Sequence, residues 1–378
     1  MNNSNVSFTD SDTQFMAQAI KLAQKGHYTT SPNPRVGCVI VNNGEIVGQG
    51  FHQKAGEGHA EVHALKQAGD KAHGATAYVT LEPCSHYGRT PPCALGLINA
   101  QVSRVVIAMV DPNPQVSGNG IQMLEEAGIA VQTGLLSSQA HQLNPGFIHL
   151  MKHKMPYVRC KLASTLDGKT AMKSGESKWI TGESAREDVQ RYRAQSCVVI
   201  SSAQSIIQDN AKMNVRWQQL GELKNSYDKD SVRQPVRVVL DSRGRLEPSI
   251  DFFKQSSKVI IIGTGLENNH QWPHFVEHIT VNGEPGQIDL EDVLRQLGRR
   301  GYNDVLIESG AHLAGAFIEK NLVNELVLYQ APKLIGGDGK NLIEMPSVTK
   351  LADAKQLSIE EMTMVGDDIK LVATLSEK

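Results

Sequence analysis

The fold of this chain is constrained most by a regular alternation of short apolar runs with helical stretches. In the first 135 residues, runs such as "ATAYVTL" and "RVVIAMV" alternate with predicted helices at His59–Ala68 and Gly120–Ala127. An earlier helix is predicted over Thr13–Lys25, with Asp12 or Ser11 as its cap. The apolar runs suit buried strands and are too short to span a bilayer. The alternation predicts mostly parallel sheets with helices on both faces, and therefore an α/β protein.

The alternation breaks near "LNPGFIHLMKHKMPYV", where short basic and proline-containing segments follow the last predicted helix of the first half. A second series of apolar runs, including "YVRCKLAS", "VRVVLD" and "DVLIES", begins after it. A chain of 378 residues is long enough for two domains. We predict a first domain over residues 1–152 and a second over residues 153–378. The helices predicted in the second domain are Ser184–Arg193, Leu290–Arg299 and Leu313–Lys320.

Charge, cysteine usage and the N-terminal segment bear on compartment and partners. The formal net charge of −2 gives no reason to expect a nucleic-acid or membrane partner. The segment "MNNSNVSFTDSDTQF" is polar and lacks the basic start and apolar core of a signal peptide. Five cysteines, an odd and sparse number, favour a reducing compartment, so we expect a cytoplasmic protein. That argues against a disulfide between Cys84 and Cys93 and leaves a metal pair or two unrelated core thiols.

Four residues of the first half form a constellation with the chemistry of a catalytic zinc site. Such a site needs three ligands and an open position for water, and His59, Cys84 and Cys93 offer these ligands. Glu61 is placed to take a proton from the water and return it to a leaving nitrogen. His-x-Glu followed by Pro-Cys and a second cysteine is typical of zinc nucleobase deaminases. His63 is a competing ligand, because it shares a helix face with His59.

The eight residues between Cys84 and Cys93 separate several interpretations. Deaminases that act on nucleosides or transfer RNA usually have two residues there, and a nucleic-acid editor would also need a basic face. The insert contains His86, Arg89 and Thr90, polar residues suited to a phosphorylated substrate. An arginine can form bidentate hydrogen bonds to a phosphate. A structural zinc site would need a fourth protein ligand, which His86 offers.

One stretch of the second half, "VLIESGAHLAGAFIE", combines a buried type of strand with the start of a helix. Gly310 and Gly315 lie near this junction, where small residues let a phosphate approach the N–H groups of a helix N-terminus. They would equally allow close packing of the helix on the strand. The common Gly-x-Gly-x-x-Gly dinucleotide pattern is missing, and the absence of Gly-Lys-Ser/Thr disfavours P-loop nucleotide hydrolysis.

The first half resembles the deaminase domain of the bifunctional deaminase/reductases of riboflavin biosynthesis. The resemblance rests on "TSPNPRVGCVIV", "HAEVHAL", "TLEPCSHYGRTPPC" and "DPNPQVSGNG". It implies a cytidine-deaminase-like α/β/α sandwich that holds one zinc ion and uses Glu61 as its catalytic residue. It also implies contacts to a phosphoribosylaminopyrimidine from Asn33, His52, His86, Arg89 and Thr90. Asn33 is otherwise a turn residue, since it lies between two prolines.

The second half resembles the reductase domain of the same enzymes, through "KLASTLDGKTA", "GESKWITG", "RYRAQS" and "ESGAHLAGA". This implies a dihydrofolate-reductase-like α/β fold that uses NADPH. The NADPH site implied by the resemblance comprises Ala163, Trp179, Ser205, Asp209, Gly310, Ala311, His312, Leu313, Ala314, Gly315 and Ala316. The implied contacts to the phosphorylated substrate are Asp167, Ser177, Arg193, Met213, Arg216 and Glu308. Trp179 is otherwise a core aromatic, and each arginine a surface charge.

The resemblance covers essentially the whole chain and predicts two successive reactions. The first domain would deaminate a phosphorylated diaminopyrimidine, and the second would reduce the ribose side chain of the resulting uracil. The sequence offers no obvious acid for the second step, so positioning is expected to supply most of its rate. The partners implied are small phosphorylated pyrimidines and further copies of the chain, in a homodimer or homotetramer built through the reductase half. A chain that retains only one of the activities is the remaining alternative.

Overall fold

The computed structural model describes residues 7–87, 91–114, 116–265, 270–284 and 286–375. The chain divides into two units, Met1–Lys154 and Met155–Lys378. None of the helices in these described ranges is both long and apolar enough to cross a membrane.

The first unit is built on a five-stranded sheet with the order β2-β1-β3-β4-β5. Its strands are β1 (Gly37–Asn42), β2 (Glu45–Phe51), β3 (Thr76–Val79), β4 (Arg104–Ile107) and β5 (Ala130–Thr133). The hairpin β1–β2 is antiparallel and turns at Asn43-Gly44, where both residues have positive φ, as a tight two-residue turn requires. Strands β3, β4 and β5 are parallel, as the alternation predicts.

Helices cover both faces of this sheet. They are α1 (Asp10–Gln24), α2 (Ala60–Ala68), α3 (Cys93–Asn99), α4 (Asn119–Glu126), α5 (Ser137–Leu143) and α6 (Pro145–His153). One apolar cluster joins the sheet to α1, α5 and α6, and a second joins the opposite face to α2, α3 and α4. The first unit is therefore an α/β/α sandwich, and the predicted fold is confirmed.

The start of α1 differs from the prediction. Thr9, not Asp12 or Ser11, is the N-cap: its hydroxyl accepts from the N–H of Asp12 at 3.1 Å, and the Asp12 carboxylate accepts from the N–H of Thr9 at 2.9 Å. The Asp12 carboxylate also accepts hydrogen bonds from the Arg104 guanidinium and the Tyr78 hydroxyl, each at 2.7 Å. Burial alone would raise the pKa of Asp12, but these hydrogen bonds outweigh it and hold the pKa well below its usual value.

The second unit contains a nine-stranded sheet with the order β11-β10-β9-β8-β14-β6-β15-β18-β17. The strands of this unit are β6 (Tyr157–Thr165), β7 (Lys169–Ala171), β8 (Val198–Ser202), β9 (Val236–Leu240), β10 (Val259–Gly263), β11 (Val276–Thr280), β12 (Gly283–Glu284), β13 (Gln287–Ile288), β14 (Asp304–Glu308), β15 (Glu325–Ala331), β16 (Lys340–Asn341), β17 (Leu357–Val365) and β18 (Asp368–Leu375). Pairing is parallel from β11 through β15, and β18 is antiparallel to both of its neighbours. The pairs β12–β13 and β7–β16 are separate two-stranded ribbons.

Four α-helices accompany these strands in the described part of the second unit. They are α7 (Glu183–Gln195), α8 (Ala203–Asp209), α9 (Leu290–Arg299) and α10 (Ala311–Glu319). Helices α9 and α10 pack in the apolar cluster of one sheet face, whereas α7 and α8 pack in clusters of the other. Because the central strands are parallel, the carboxyl ends of β8, β14 and β6 meet at one edge, where α/β sheets bind ligands. The predicted α/β class of this half is confirmed.

Candidate active sites

Three side chains of the first unit converge on one point with the chemistry of a zinc site. His59 is the N-cap of α2, Cys84 follows β3, and Cys93 is the first residue of α3. The Nδ1 atom of His59 lies 3.6 Å from Sγ of Cys84 and 3.3 Å from Sγ of Cys93. Tetrahedral zinc with ordinary Zn–N and Zn–S bonds separates its ligand atoms by about 3.5 Å. The donor set therefore fits zinc.

The electrostatics of the two thiols also suits a cation. Sharing a proton with Cys93, together with hydrogen bonds from His59 and a backbone N–H, holds the pKa of Cys84 well below its usual value. The same contact raises the pKa of Cys93, because two neighbouring thiolates repel each other. The N–H of Cys93, at the N-terminus of α3, donates to Sγ of Cys84 at 3.3 Å. A divalent cation between the sulfurs removes the conflict and lets both bind as thiolates.

Glu61 lies in the first turn of α2, directly beside this donor set. Its side chain is 3% exposed, and its Oε2 atom has no hydrogen-bond partner among the described residues. Burial raises the pKa of Glu61 to about 7. A buried carboxylate oxygen without a partner is costly unless a ligand or water completes it, so this atom suits proton exchange with a bound molecule.

Asn33 and His52 form one hydrogen-bonded pair near the zinc ligands. Nδ2 of Asn33 lies 3.2 Å from Nε2 of His52, and Nδ1 of His52 lies 3.1 Å from the carbonyl of Gly58. Burial lowers the pKa of His52 and so favours the neutral ring. In that form the Gly58 carbonyl, which can only accept, requires the proton on Nδ1, and Nε2 accepts from Asn33. The His52 ring packs edge-on against that of His59, with centroids 5.4 Å apart. Asn33 is therefore more than a turn residue.

Glu82 is a residue of this site that the sequence did not single out. Its buried carboxylate accepts from the backbone N–H groups of Asp111 at 3.0 Å, Gly118 at 3.1 Å, Gly120 at 2.9 Å and Ile121 at 3.4 Å. It thereby ties the segment that leads into Cys84 to the loop before α4. The only sequence signal was its position next to Pro83-Cys84.

His63, the competing ligand, and His86, from the insert, do not belong to the donor cluster. Among the described residues, the metal-binding group consists of His59, Cys84 and Cys93 only. The Nε2 atom of His63 is buried and has no hydrogen-bond partner among the described residues, and His86 is exposed. Arg89 and Thr90 lie outside the described residues.

The second unit brings three charged residues together on one face of its sheet. Glu308 ends β14 and is the register partner of Lys161 on β6. Arg193, on α7, donates to both carboxylate oxygens of Glu308, at 2.6 and 2.9 Å. Burial lowers the pKa of Lys161, and the Glu308 carboxylate partly opposes that shift. Sequence reasoning missed Lys161, because the pairing that places it beside Glu308 joins strands far apart in the chain.

The other predicted substrate contacts differ in exposure. Arg216 is exposed, and Ser177 is half-buried in the loop before α7. Asp167 accepts from the N–H groups of Ile335 at 3.0 Å and Gly336 at 2.7 Å, so its carboxylate organises that segment. Met213 is 2% exposed and packs in the apolar cluster around α8.

Gly310 and Gly315 have different surroundings. Gly310 is the N-cap of α10, and a Cβ atom there would meet nothing within 4 Å. A Cβ atom on Gly315 would lie 1.8 Å from the carbonyl oxygen of Glu344. Gly315 therefore permits close packing of a passing segment, and Gly310 leaves the helix N-terminus open to a phosphate.

Three serine hydroxyls form a chain of contacts that reaches Ser309, the residue before Gly310. Oγ of Ser202, at the end of β8, lies 3.1 Å from Oγ of Ser205 and 3.5 Å from Oγ of Ser309. Asp209 is exposed at the last turn of α8, and Ala163 is half-buried on β6. Ala311, Leu313 and Ala316 are half-buried, His312 is exposed, and Ala314 and Gly315 are buried. Hydroxyl and N–H donors around an open helix N-terminus fit the phosphates of a dinucleotide.

Trp179 is 60% exposed, so it is not a core aromatic. The Arg186 guanidinium stacks on its ring at 4.7 Å. Nζ of Lys333 donates to the carbonyls of Trp179 and Ile180, at 2.9 and 2.7 Å. The indole is thus held in place with part of its surface free for a ligand.

Comparison with known proteins agrees with this geometry. The family model for the cytidine and deoxycytidylate deaminase zinc-binding region matches residues 9–109, and that for the RibD C-terminal domain matches residues 156–371. The riboflavin biosynthesis protein RibD of Haemophilus influenzae is 51% identical, over 97% of this chain and 98% of its own length. The Escherichia coli protein of the same name is 49% identical, over 95% and 98%.

Two solved structures share the fold over nearly the full length. Acinetobacter baumannii RibD aligns with a TM-score of 0.88 and 43% identity, over 97% of this chain and 99% of that one. A deaminase/reductase from Thermotoga maritima aligns with a TM-score of 0.85 and 32% identity, over 97% and 99%.

Fold and site together define a zinc deaminase unit followed by an NADPH-dependent reductase unit. The chain belongs to the RibD family of riboflavin biosynthesis proteins. It is a bifunctional enzyme with a deaminase and a reductase activity, as the sequence predicts.

Proposed function

We propose that the first unit deaminates 2,5-diamino-6-(5-phosphoribosylamino)pyrimidin-4(3H)-one and that the second reduces the product. The similar Thermotoga maritima protein, a diaminohydroxyphosphoribosylaminopyrimidine deaminase/5-amino-6-(5-phosphoribosylamino)uracil reductase, supports this choice. The observation that carries it is the donor set of His59, Cys84 and Cys93 beside the unpartnered carboxylate oxygen of Glu61. The predicted division at residues 152 and 153 assigns one activity to each domain.

In the deaminase, His59, Cys84 and Cys93 would hold the zinc ion, and Glu61 moves the protons. When bound, zinc lowers the pKa of a water ligand toward neutrality. Glu61 accepts the proton of the attacking water at Oε2 and returns it to the amino group that leaves as ammonia. Burial keeps this carboxylate away from bulk water, and no protein donor among the described residues competes for its Oε2 atom.

The pyrimidine and its phosphate are bound by the polar residues around this centre. His52 fixes the amide of Asn33, whose oxygen then faces away from the ring and accepts from the substrate. We assign the phosphate end to His86, Arg89 and Thr90, on the polar character of the insert.

In the reductase, NADPH would supply the hydride that reduces C1 of the ribose, and the protein supplies the proton. The bond from C1 to the ring oxygen breaks, so this oxygen must be protonated as the sugar opens. Lys161 is the candidate donor, because burial lowers its pKa and its register partner on the neighbouring strand is Glu308. We assign the substrate contacts to Asp167, Ser177, Arg193, Met213, Arg216 and Glu308.

The cofactor lies along the carboxyl edge of the sheet in this proposal. Its phosphates face the open end of α10 and the neighbouring hydroxyl cluster. The residues assigned to it are Ala163, Trp179, Ser205, Asp209, Gly310, Ala311, His312, Leu313, Ala314, Gly315 and Ala316.

The chain forms a homo-oligomer through its second unit in this proposal. Four exposed apolar residues of β17 pair with alternate residues of β18, so all four side chains lie on the same face of the sheet. The bulge between Ile359 and Glu361 makes this possible, because it shifts the register by one residue. Those side chains are Leu357, Ile359, Met362 and Met364. An exposed apolar row on an edge strand favours association with a second copy.

All five cysteines are free, which supports a cytoplasmic location.

A coupled assay with purified protein tests the two activities separately. The diaminopyrimidine phosphate is supplied with NADPH, and ammonia release and NADPH oxidation are followed in parallel. We expect one ammonia and one NADPH per substrate. Ammonia release without zinc, or no ammonia from zinc-loaded protein, would refute the deaminase assignment.

Size-exclusion chromatography with light scattering tests the oligomer. Ile359→Lys should shift the protein toward the monomer. Thr363→Lys is the control and should not, because Thr363 pairs with Lys370 and lies on the opposite face of β17.

A further inference from the structure

The corner between α5 and α6 reaches back to the loop that carries Asn33. Asn144, at this corner, is 4% exposed. Its Oδ1 accepts from the N–H of Arg35 at 2.7 Å, and its Nδ2 donates to the carbonyl of the same residue at 2.9 Å. One amide side chain thus satisfies both backbone groups of a residue 109 positions away, as a neighbouring strand would.

The side chain of Arg35 strengthens the same connection from the other direction. Its guanidinium donates to the carbonyl of Leu143 at 2.5 Å and to that of His27 at 3.5 Å. The Leu143 carbonyl belongs to the last residue of α5, where carbonyl groups lack helical partners. The corner and the loop are therefore joined by hydrogen bonds in both directions.

The contact leads to the zinc ligands in three short steps. Asn33 lies two residues before Arg35, and its N–H donates to the carbonyl of Thr30 at 2.9 Å. Its side chain meets Nε2 of His52, whose other nitrogen bonds to Gly58, the residue before His59. A displacement of Arg35 would therefore move the amide that faces the pyrimidine.

Asn144 lies outside the stretch that matches the deaminase zinc-binding family, residues 9–109. Helices α5 and α6 nevertheless share the apolar cluster of α1 and the sheet. The segment after the family match is therefore joined to the site by a buried polar contact as well as by packing.

We propose that Asn144 is a positioning residue, which acts through the backbone of Arg35 to hold Asn33 where it binds the pyrimidine. This inference rests on the proposed deaminase function of the first unit. It goes beyond it by assigning a substrate-binding role to the helical corner at residues 143–145.

Two variants and one control test this proposal in the full-length, zinc-loaded protein. Asn144→Leu removes both hydrogen bonds at similar volume, and Asn144→Asp keeps the acceptor for the Arg35 N–H but loses the donor. Gln142→Leu changes an exposed amide two residues away on α5 and serves as the control. Steady-state ammonia release gives KM and kcat, zinc content is measured per chain, and NADPH oxidation with the uracil substrate reports on the other unit.

We expect KM of the deaminase to rise by about tenfold or more in both Asn144 variants, with kcat, zinc content and the reductase rate close to wild type. An unchanged KM in a folded variant would overturn the proposal. Loss of zinc and of ammonia release at saturating substrate in both variants would overturn it too, in favour of a purely structural role. If the wild-type protein releases no ammonia, the proposed function itself fails, which separates the two results.

Discussion

Replacing Glu82 with glutamine is expected to loosen the zinc site without touching a ligand. The Glu82 carboxylate accepts three backbone hydrogen bonds at 2.9 to 3.1 Å and a longer one at 3.4 Å. Glutamine offers one oxygen and places an N–H₂ group against N–H donors, so about two of these bonds are lost. Each charge-assisted bond contributes about 1.5 kcal/mol or more, which gives a local loss of about 3 kcal/mol.

That loss acts on the segment that leads into Cys84. Gly120 packs so close to this segment that a Cβ atom there would lie 2.1 Å from the Pro83 carbonyl oxygen. The loop cannot separate from Glu82 without freeing Pro83 and, with it, the sulfur of the next residue. Residues that orient metal ligands typically change metal affinity by about 10- to 100-fold when mutated. We expect a fall of that size in Glu82→Gln.

The assay is release of zinc to a chromogenic chelator, followed over time at neutral pH. Glu126→Gln is the matched control, because Glu126 is exposed on α4 and accepts from Gln122 in the same helix. Cobalt-substituted protein gives a second readout, since cobalt–thiolate absorption changes when a sulfur ligand moves. Zinc release in folded Glu82→Gln that matches Glu126→Gln would refute the reasoning.

Three further predictions use the two activities and the stability of the first unit. Glu61→Gln should lower ammonia release by about 10²- to 10⁴-fold while zinc stays bound, and a rate near wild type would show that the proton passes elsewhere. Lys161→Met should lower NADPH oxidation by about 10²-fold or more and leave ammonia release intact; equal losses of both activities would contradict its assignment. Asp12→Asn should cost about 2–3 kcal/mol at neutral pH, because it leaves Arg104 without its carboxylate and Arg104 is only 26% exposed. The pKa of Asp12 is lower in the folded state than in the unfolded state. The ionised carboxylate therefore stabilises the fold fully above its ordinary pKa of about 3.9, and this stabilisation is lost as the pH falls through the folded pKa. In chemical denaturation, the free energies of unfolding of the variant and the wild type should therefore converge in strong acid.

The candidate zinc site could be predicted from the sequence because the three residues that could hold the ion lie at the starts and ends of local elements. His59 caps a helix, Cys84 follows a strand and Cys93 opens a helix, so spacing within short stretches already carries the geometry. The strand–helix alternation gave the sandwich of the first unit for the same reason.

Contacts between distant segments could not be predicted in this way. The register of β6 against β14, which brings Lys161 to Glu308, depends on the whole sheet. The pairing of Asn144 with Arg35 joins an amide in a proline-containing corner to a loop over 100 residues earlier. Gly310 and Gly315 look alike in sequence, and only the segment at Glu344 distinguishes an open helix end from a packing contact. The cap of α1 was misplaced because Asp12 serves as the third helical residue of a capping box.

If His59, Cys84 and Cys93 hold a catalytic zinc ion, deamination in the first unit requires zinc, whereas reduction in the second unit does not. The most direct measurement compares metal-free and zinc-reconstituted protein in the two half-reactions. Metal-free protein should release no ammonia from the diaminopyrimidine phosphate, should regain release with one zinc per chain, and should oxidise NADPH with the uracil substrate at the same rate throughout. Ammonia release that persists without metal would contradict the account.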